Sequence, residues 1–229
     1  MGQENLVEKL TGKRVAFVVA HQDDESLWFG GLLTELAGKA DLLIVSVTEP
    51  MPARPDTYTR MKAISEVAKL VSGTHVCLGF TDCRAVERPE STLAEVTMAI
   101  AKHLREFQVD AIVSHGLDGE ACDVYPTGHA MHKHVCLAAN QAATMLRLDS
   151  YRRSRIPDAT FRVEYDRNAK FDLLDCYAPQ WSPDGYPWNE TEGYEFMPYG
   201  SLSHWWFSQC AYRLLFPAQR ITNRVLTRN

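Results

Sequence analysis

Residues 15–25 read Val-Ala-Phe-Val-Val-Ala-His-Gln-Asp-Asp-Glu, an apolar run that ends abruptly at a histidine followed by three acidic residues. The run lacks polar alternation, which is typical of a strand covered by helices on both faces of a parallel sheet. The carboxyl ends of such strands border a crevice where ligands bind. We therefore expect His21, Asp23 and Asp24 to converge in one loop, where imidazole and carboxylate groups suit a divalent ion such as zinc.

Similar apolar runs recur along the first 150 residues and alternate with segments of helical spacing. The predicted strands are Arg14–Ala20, Leu42–Val47, His75–Leu78 and Asp110–Ser114, and the predicted helices are Ser26–Gly38, Thr57–Val71, Ser91–Phe107 and Thr127–Leu148. This alternation implies βαβ units joined by right-handed crossovers. The predicted fold class is α/β, a Rossmann-like three-layer α/β/α domain with a mainly parallel sheet.

Beyond residue 148 the alternation becomes irregular. We predict that residues 1–150 form the catalytic core and that residues 151–229 form a small C-terminal extension completing the same domain. The predicted parts of this extension include a basic connector at Tyr151–Pro157, an edge strand at Thr160–Tyr165, an ordered aromatic-rich loop at Pro179–Pro198 and a buried segment at Ser201–Phe216.

Composition restricts the classes of partner. The 229 residues carry a formal net charge of −5, whereas nucleic-acid binders usually present a basic face, so no nucleic-acid partner is expected. No stretch reaches the roughly 20 apolar residues that cross a bilayer, so no membrane partner is expected. The six cysteines show no Cys-x-x-Cys pair, which favours a reducing, cytoplasmic location. The oligomeric state stays open, and a homo-oligomer is compatible with the sequence.

A second cluster of histidines follows the fourth predicted strand. His129 and His132 are three residues apart at the start of a predicted helix and therefore share one face of it, whereas His134 points elsewhere. Because the carboxyl ends of parallel strands meet at one edge, both clusters are expected there. Taken alone, Asp23 or Asp24 is also typical of a helix cap. The second cluster at the same edge favours a metal site.

The two clusters contain the groups that metal-assisted amide hydrolysis needs. A catalytic zinc site has three protein ligands and one open position. An amide also needs carbonyl polarisation, an activated nucleophile and a proton for the departing amine. Adjacent residues of a turn point in different directions, so Asp23 and Asp24 can divide the roles of ligand and base.

A family resemblance rests on three motifs taken in sequence order. They are Ala20-His21-Gln22-Asp23-Asp24-Glu25, Ser114-His115-Gly116-x-x-Gly119-Glu120 and His129-x-x-His132. These motifs resemble the PIG-L/LmbE family of zinc-dependent N-acetylglucosamine-type de-N-acetylases. Weaker similarity includes the segments Arg60–Ala68, Leu78–Asp82 and Lys170–Gln180, the last being similar to the lysine helix of the family. The resemblance covers roughly residues 13–180.

The resemblance implies a metal-dependent hydrolase that removes an N-acetyl or other N-acyl group. Its substrate would be a small-molecule N-acetylated amino sugar or an aminoglycoside-type conjugate. His21, Asp24 and His132 would hold a zinc ion, with Fe2+ as the alternative metal.

The resemblance also implies the roles of four further residues. Asp23 would be the general base that takes the proton of the attacking water. His129 would donate to the oxyanion or protonate the departing amine. Arg60 and Asp82 would contact the sugar or its attached group.

Two positions depart from the family pattern. Gln22 stands where the family usually has proline, so the turn lacks a fixed φ. Met131 stands where the family usually has an aspartate between the two histidines, and methionine cannot support a neighbouring imidazole as a carboxylate does. The residues that could supply that carboxylate instead are Glu25, Asp118, Glu120 and Asp123.

The sequence leaves two alternative functions open. One is an amidase acting on another sugar or thiol-conjugate amide. The other is a non-catalytic metal-binding or sugar-binding homologue, for which Met131 is the motivating residue. A nucleotide-binding Rossmann protein is disfavoured, because carboxylates stand in the first strand-to-helix turn where a glycine-rich phosphate loop would be needed.

Overall fold

The computed structural model describes residues 5–50, 57–82, 91–120, 128–177 and 191–197. The strands are β1 (Arg14–Val19), β2 (Asp41–Thr48), β3 (Thr74–Phe80), β4 (Ala111–Ser114), β5 (Asp149–Arg153), β6 (Phe161–Glu164) and β7 (Thr191–Met197). The helices are α1 (Leu6–Leu10), α2 (Asp24–Leu36), α3 (Thr57–Leu70), α4 (Leu93–Glu106), α5 (Ala130–Leu146) and α6 (Arg167–Asp175).

The strands form one open sheet in the order β3-β2-β1-β4-β5-β7-β6. The strands from β1 to β5 pair in parallel, with Val15 opposite Leu42 on one side and Ala111 on the other. The last two strands join in antiparallel orientation at one end. The predicted α/β class with a mainly parallel sheet is confirmed.

Two apolar cores cover the two faces of the sheet. Val15, Phe17 and Val19 pack with the apolar faces of α1, α2, α3 and α6. The intervening residues Ala16 and Val18 pack with α4 and α5 on the opposite face. Because both faces of β1 are buried, its sequence is apolar throughout. The predicted three-layer arrangement is confirmed.

The C-terminal part differs from the sequence prediction in two places. Residues 149–153 are strand β5, not part of a basic connector, and residues 191–197 are strand β7, not loop. The two strands pair antiparallel, with Arg152 opposite Glu195 and the two side chains in an ion pair. Such cross-strand ion pairs place charged residues within a strand, which removes the apolar signal on which the prediction relied. The predicted edge strand is confirmed as β6.

Other expectations fall partly outside the described residues. The segments at 178–190 and 198–229 are not described, so the predicted aromatic-rich loop and the Ser201–Phe216 segment lie largely or wholly there. The division of the domain at residue 150 stays a prediction. Among the described helices, none is long and apolar enough to cross a membrane.

Candidate metal centre

The three predicted metal ligands meet at the carboxyl edge of the parallel strands. His21 follows β1, Asp24 is the first residue of α2, and His132 lies in the first turn of α5. His132 Nε2 is 3.3 Å from both His21 Nδ1 and Asp24 Oδ1, and His21 Nδ1 is 3.2 Å from Asp24 Oδ2. These residues form one of the three groups that could hold a metal ion within the described chain.

The spacing of these atoms fits a zinc ion. Zinc–ligand distances of about 2.0–2.1 Å at tetrahedral angles separate the ligand atoms by about 3.3 Å. The other two groups are His21 with Asp82 and His129, and His115 with Glu120 and His132. Each contains a histidine–carboxylate pair only 2.8 Å apart, a distance at which a shared hydrogen occupies the space between the atoms. The first group is therefore the best candidate for the ion.

Neighbouring carboxylates fix the protons of both ligand histidines. Asp82 Oδ1 lies 2.8 Å from His21 Nε2 and accepts its hydrogen. Glu120 Oε2 lies 2.8 Å from His132 Nδ1 and accepts the hydrogen there. The inner nitrogens, His21 Nδ1 and His132 Nε2, lie 3.3 Å apart and are the ones left to bind an ion. A metal ion would replace the proton that Asp24 helps His21 Nδ1 to hold, and carboxylates at the outer nitrogens are the usual partners of metal-binding histidines.

Glu120 joins two histidines into one unit. Its Oε2 also accepts from His115 Nδ1 at 2.9 Å, and its Oε1 accepts from the Gly116 N–H at 2.8 Å. His115 Nε2 accepts the Ala20 N–H at 3.0 Å, and the His115 ring stacks on His132 with centroids 4.1 Å apart. Burial opposes ionisation of Glu120, but the two imidazoles outweigh it and hold the pKa of Glu120 well below its usual range. Glu120 therefore acts as an acceptor only.

A glycine allows the Glu120 loop to approach α5. Gly128 has a φ of +74°, and a Cβ at this position would lie 1.7 Å from the carbonyl oxygen of Asp118. The next residue, His129, donates its N–H to Gly119 O at 2.8 Å. This close backbone contact brings the first turn of α5 against the loop, so Glu120 reaches His132.

The charges around the ligand group favour a bound cation. Burial disfavours a charged imidazole, but Asp24 and Asp82 outweigh it and raise the pKa of His21 to about 9. Burial also disfavours a charged Asp24, but His132 and His21 hold the pKa of Asp24 well below its usual range. An environment that retains a proton this firmly also attracts a metal cation.

Asp23 lies beside the ligand group and contacts a different element. Its Oδ2 is 3.0 Å from Arg60 Nη1 on α3. Burial and the charge of Asp24 raise the pKa of Asp23 to about 6, although Arg60 acts in the opposite direction. Asp23 is the N-cap of α2, yet its side chain makes no capping hydrogen bond to the described first turn. Helix capping therefore does not explain this carboxylate.

His129 adjoins the ligand group but is oriented by the main chain. It is the N-cap of α5, and its Nδ1 accepts the Met131 N–H at 3.2 Å. Its ring centroid lies 4.9 Å from that of His21 and 4.8 Å from that of His132. Burial and the charges of His21 and His132 lower the pKa of His129 to about 4. His129 is therefore a neutral imidazole that carries its hydrogen on Nε2.

The structure thus places every predicted site residue in one cluster. The ligand group is surrounded by Asp23, Arg60, Asp82 and His129, and their catalytic or substrate-binding roles stay predictions. Sequence reasoning did not identify the hydrogen bonds of His115 and Glu120. The His115-Gly116-x-x-Gly119-Glu120 motif indicated this segment, but only the folded loop shows that one carboxylate oxygen serves two imidazoles.

Comparison of the chain with protein families gives one match. Residues 16–143 match the family described as PIG-L: GlcNAc-PI de-N-acetylase. No curated protein sequence matches the chain significantly. The matched segment contains both halves of the ligand group.

Several solved structures share the fold. One is an N,N'-diacetylchitobiose deacetylase from Pyrococcus horikoshii, with a TM-score of 0.60 and 18% identity over 81% of this chain and 84% of that one. Another is the A40926 pseudoaglycone deacetylase, with a TM-score of 0.63 and 16% identity over 82% and 99% of the two chains. A third is the 4-carboxy-2-hydroxymuconate hydratase from Pseudomonas putida, with a TM-score of 0.55 and 14% identity over 82% and 98%. Since one of these is a hydratase, the reaction must be argued from the site.

The Glu120→Gln substitution tests the orientation of His132. A carboxamide keeps the size of the side chain but cannot accept two imidazole hydrogens with a full negative charge, so zinc affinity should fall about 10- to 100-fold. A competition titration against a zinc chelator measures this change. The matched control is Asp118→Asn in the same loop. It also removes one negative charge, but an oxygen that can accept the Glu120 N–H remains, and the other contact of Asp118 is with Arg155. Unchanged zinc affinity in Glu120→Gln would contradict the assignment.

Proposed function

The chain belongs to the PIG-L family of GlcNAc-PI de-N-acetylases, and from that premise we propose that it is a metal-dependent hydrolase of N-acetyl amino sugars. One observation carries the proposal. Two histidine nitrogens and the Asp24 carboxylate converge, while a second carboxylate, Asp23, stays outside this group with a pKa of about 6. A ligand set beside a separate base is what amide hydrolysis requires.

The donor set suits the metal that the family implies. His21, Asp24 and His132 would hold it, and two imidazoles with one carboxylate are ligands for zinc and for ferrous iron. When bound there, the ion would polarise the amide carbonyl and lower the pKa of water to about 7. Metal analysis of the purified protein identifies which ion is retained.

Asp23 is the proposed general base. Its burial and its separation from the ligand group leave it able to accept the proton of the attacking water. A pKa of about 6 lets Asp23 be mostly ionised at neutral pH and still strong enough as a base to bind that proton. The same proton then passes from Asp23 to the departing amine nitrogen, so no other acid is required.

His129 is the proposed donor to the oxyanion. Its Nδ1 is occupied by the Met131 N–H, so its hydrogen lies on Nε2. A neutral N–H donor stabilises negative charge on the carbonyl oxygen without transferring its proton. Between the two roles that the family resemblance implies, the low pKa of His129 favours this one over protonation of the amine.

The substrate class rests on the family and on the structural relatives. The solved relatives include deacetylases named for diacetylchitobiose and for the A40926 pseudoaglycone. We propose a small-molecule N-acetylated amino sugar or conjugate as the substrate. Contacts of Arg60 and Asp82 with that substrate, a homo-oligomeric state and a cytoplasmic location stay predictions.

A non-catalytic binding protein is the alternative from another class. Binding alone would not need a buried carboxylate outside the ligand set. Asp23 is 5% exposed and contacts Arg60, and such a costly arrangement favours catalysis. An amidase acting on another amide would use the same groups, so only a substrate panel separates it from a deacetylase.

The Asp23→Asn substitution tests the proposed reaction. Because Asp23 is outside the ligand group, the variant should retain as much zinc as the wild type while kcat falls about 100- to 10,000-fold. Metal content is measured by mass spectrometry, and amine release is measured across N-acetylated amino sugars. A chelator should abolish release by the wild type. If amine release persisted without metal or in the Asp23→Asn variant, the proposed mechanism would be wrong.

The pH dependence of the reaction reports on Asp23 and Arg60. Since the base must be ionised, kcat/KM should increase as pH rises through about 6. Arg60 lowers the pKa of Asp23, so Arg60→Gln should move this rising limb to higher pH by about one unit. Lys69→Gln on the same helix is the control, because Lys69 contacts Glu66 on the surface. An unmoved limb in Arg60→Gln would rule out the electrostatic link.

A further inference from the structure

The first turn of α2 lacks the usual side-chain cap, although it carries two site residues. An N-cap side chain normally accepts a hydrogen bond from the second or third N–H of its helix. Asp23 makes no such bond within the described turn and contacts Arg60 instead. Other groups must therefore hold this turn in place.

Glu25 connects this turn to the C-terminal part of the chain. Its side chain is fully buried. Oε1 accepts hydrogen bonds from Tyr177 Oη at 2.7 Å and from Ser26 Oγ at 2.8 Å. Oε2 has no hydrogen-bond partner among the described residues. Since Ser26 is the next residue of α2, Tyr177 is the member of this pair that comes from another element.

Tyr177 is itself held firmly. It follows α6, its N–H donates to Leu174 O at 2.8 Å, and its side chain is fully buried within the core that α2 shares. Its hydroxyl therefore has a fixed position relative to α6. Glu25 is linked to that position by a hydrogen bond that is independent of its own helix.

The middle of α2 is attached to the same C-terminal region. Glu192 on β7 accepts the N–H groups of Gly31 at 2.9 Å and Leu32 at 3.0 Å. Glu192 also accepts from Lys170 Nζ at 2.7 Å and Tyr194 Oη at 2.6 Å. This attachment is fixed by charge and by main-chain hydrogen bonds, so α2 is anchored here without Tyr177.

The two attachments hold different parts of α2. Glu25 and Gly31 are six residues apart, about 9 Å along a helix axis. The attachment at Gly31 prevents α2 from sliding, and the first turn is held separately, in part by the His21 N–H, which donates to Asp24 Oδ2 at 2.7 Å. The Tyr177–Glu25 hydrogen bond adds a link from this turn to the segment that follows α6, at the residue adjacent to Asp24.

Resting on the function proposed above, we propose that Tyr177 is a positioning residue of the active site. Its hydroxyl holds the Glu25 carboxyl and thereby fixes the turn that presents Asp24 to the metal and Asp23 to the attacking water. Tyr177 acts through Glu25 and touches neither metal nor substrate.

Paired phenylalanine substitutions test this role. Tyr177→Phe removes the hydroxyl at the first turn of α2 and keeps the ring. Tyr194→Phe removes an equally buried hydroxyl, which donates to Glu192, the carboxylate attached to the middle of α2. In this variant Glu192 keeps its three other donors, Gly31, Leu32 and Lys170. Zinc affinity by chelator competition, kcat, KM and the midpoint of thermal unfolding are measured for both variants and the wild type.

We expect Tyr177→Phe to weaken zinc affinity about tenfold, at the lower end of the effect of losing an outer partner. Its kcat should fall about tenfold with little change in KM, because the displaced groups act on the reacting atoms. Both variants should lower the midpoint of thermal unfolding by a similar amount, because each loses one buried hydroxyl. Tyr194→Phe should nevertheless leave zinc affinity and kcat near wild type. Equal effects of the two variants on zinc affinity, or none in Tyr177→Phe, would overturn the proposal.

The Glu25→Gln substitution separates positioning from a role of the charge. A carboxamide keeps an oxygen that can accept from Tyr177 and Ser26, so zinc affinity should stay near wild type. A loss of zinc affinity as large as that of Tyr177→Phe would overturn the positioning role.

Zinc affinity also distinguishes failure of the positioning role from failure of the proposed function. If zinc-loaded wild type released no amine from any substrate, the proposed function would fail, whereas weaker zinc binding by Tyr177→Phe would still support the positioning role.

Discussion

The orientation of two imidazole rings by outer carboxylates is the constraint on which the site depends. His21 Nδ1 and His132 Nε2 lie 3.3 Å apart, and carboxylates hold the hydrogens of both rings on their opposite sides. Without those carboxylates either ring could turn a hydrogen toward the other and close the site. With Asp82 and Glu120 in place, the nitrogens and the Asp24 carboxylate favour a cation between them. Asp82 and Glu120, which do not belong to the ligand group, therefore determine which histidine nitrogens can bind an ion.

The parallel sheet makes this arrangement possible. Strands β1, β3 and β4 end at the same edge, so the residues that follow them meet although they lie far apart in sequence. His21 and Asp82 are 61 residues apart, and His21 and His132 are 111 apart. The helix that begins at this edge after β1 places two neighbouring carboxylates in different surroundings. Asp24 from α2 joins the ligand set, whereas Asp23, one residue earlier, remains with Arg60 as a separate base.

Sequence patterns predict the ligands because each follows a strand with a strong apolar signal. They do not predict Glu120 as the shared partner of His115 and His132, because that contact depends on the close approach of Gly128 to Asp118. The sequence alone shows methionine at position 131, where the family usually has aspartate, and this motivates the non-catalytic alternative. In the structure the main-chain N–H of residue 131 orients His129, and any residue type provides that N–H, so the contact leaves no sequence signal. Strands β5 and β7 give no apolar signal either, because Arg152 and Glu195 form an ion pair between them.

Anomalous diffraction at the zinc edge, from crystals of the zinc-loaded protein, tests the central claim most directly. Three groups of described residues could hold an ion, and they predict different peaks. We expect a single strong peak bonded to His21 Nδ1, His132 Nε2 and the Asp24 carboxylate, with Asp82 and Glu120 still hydrogen-bonded to the outer nitrogens. A peak bonded directly to Asp82 or Glu120, or no peak at this edge of the sheet, would contradict the account.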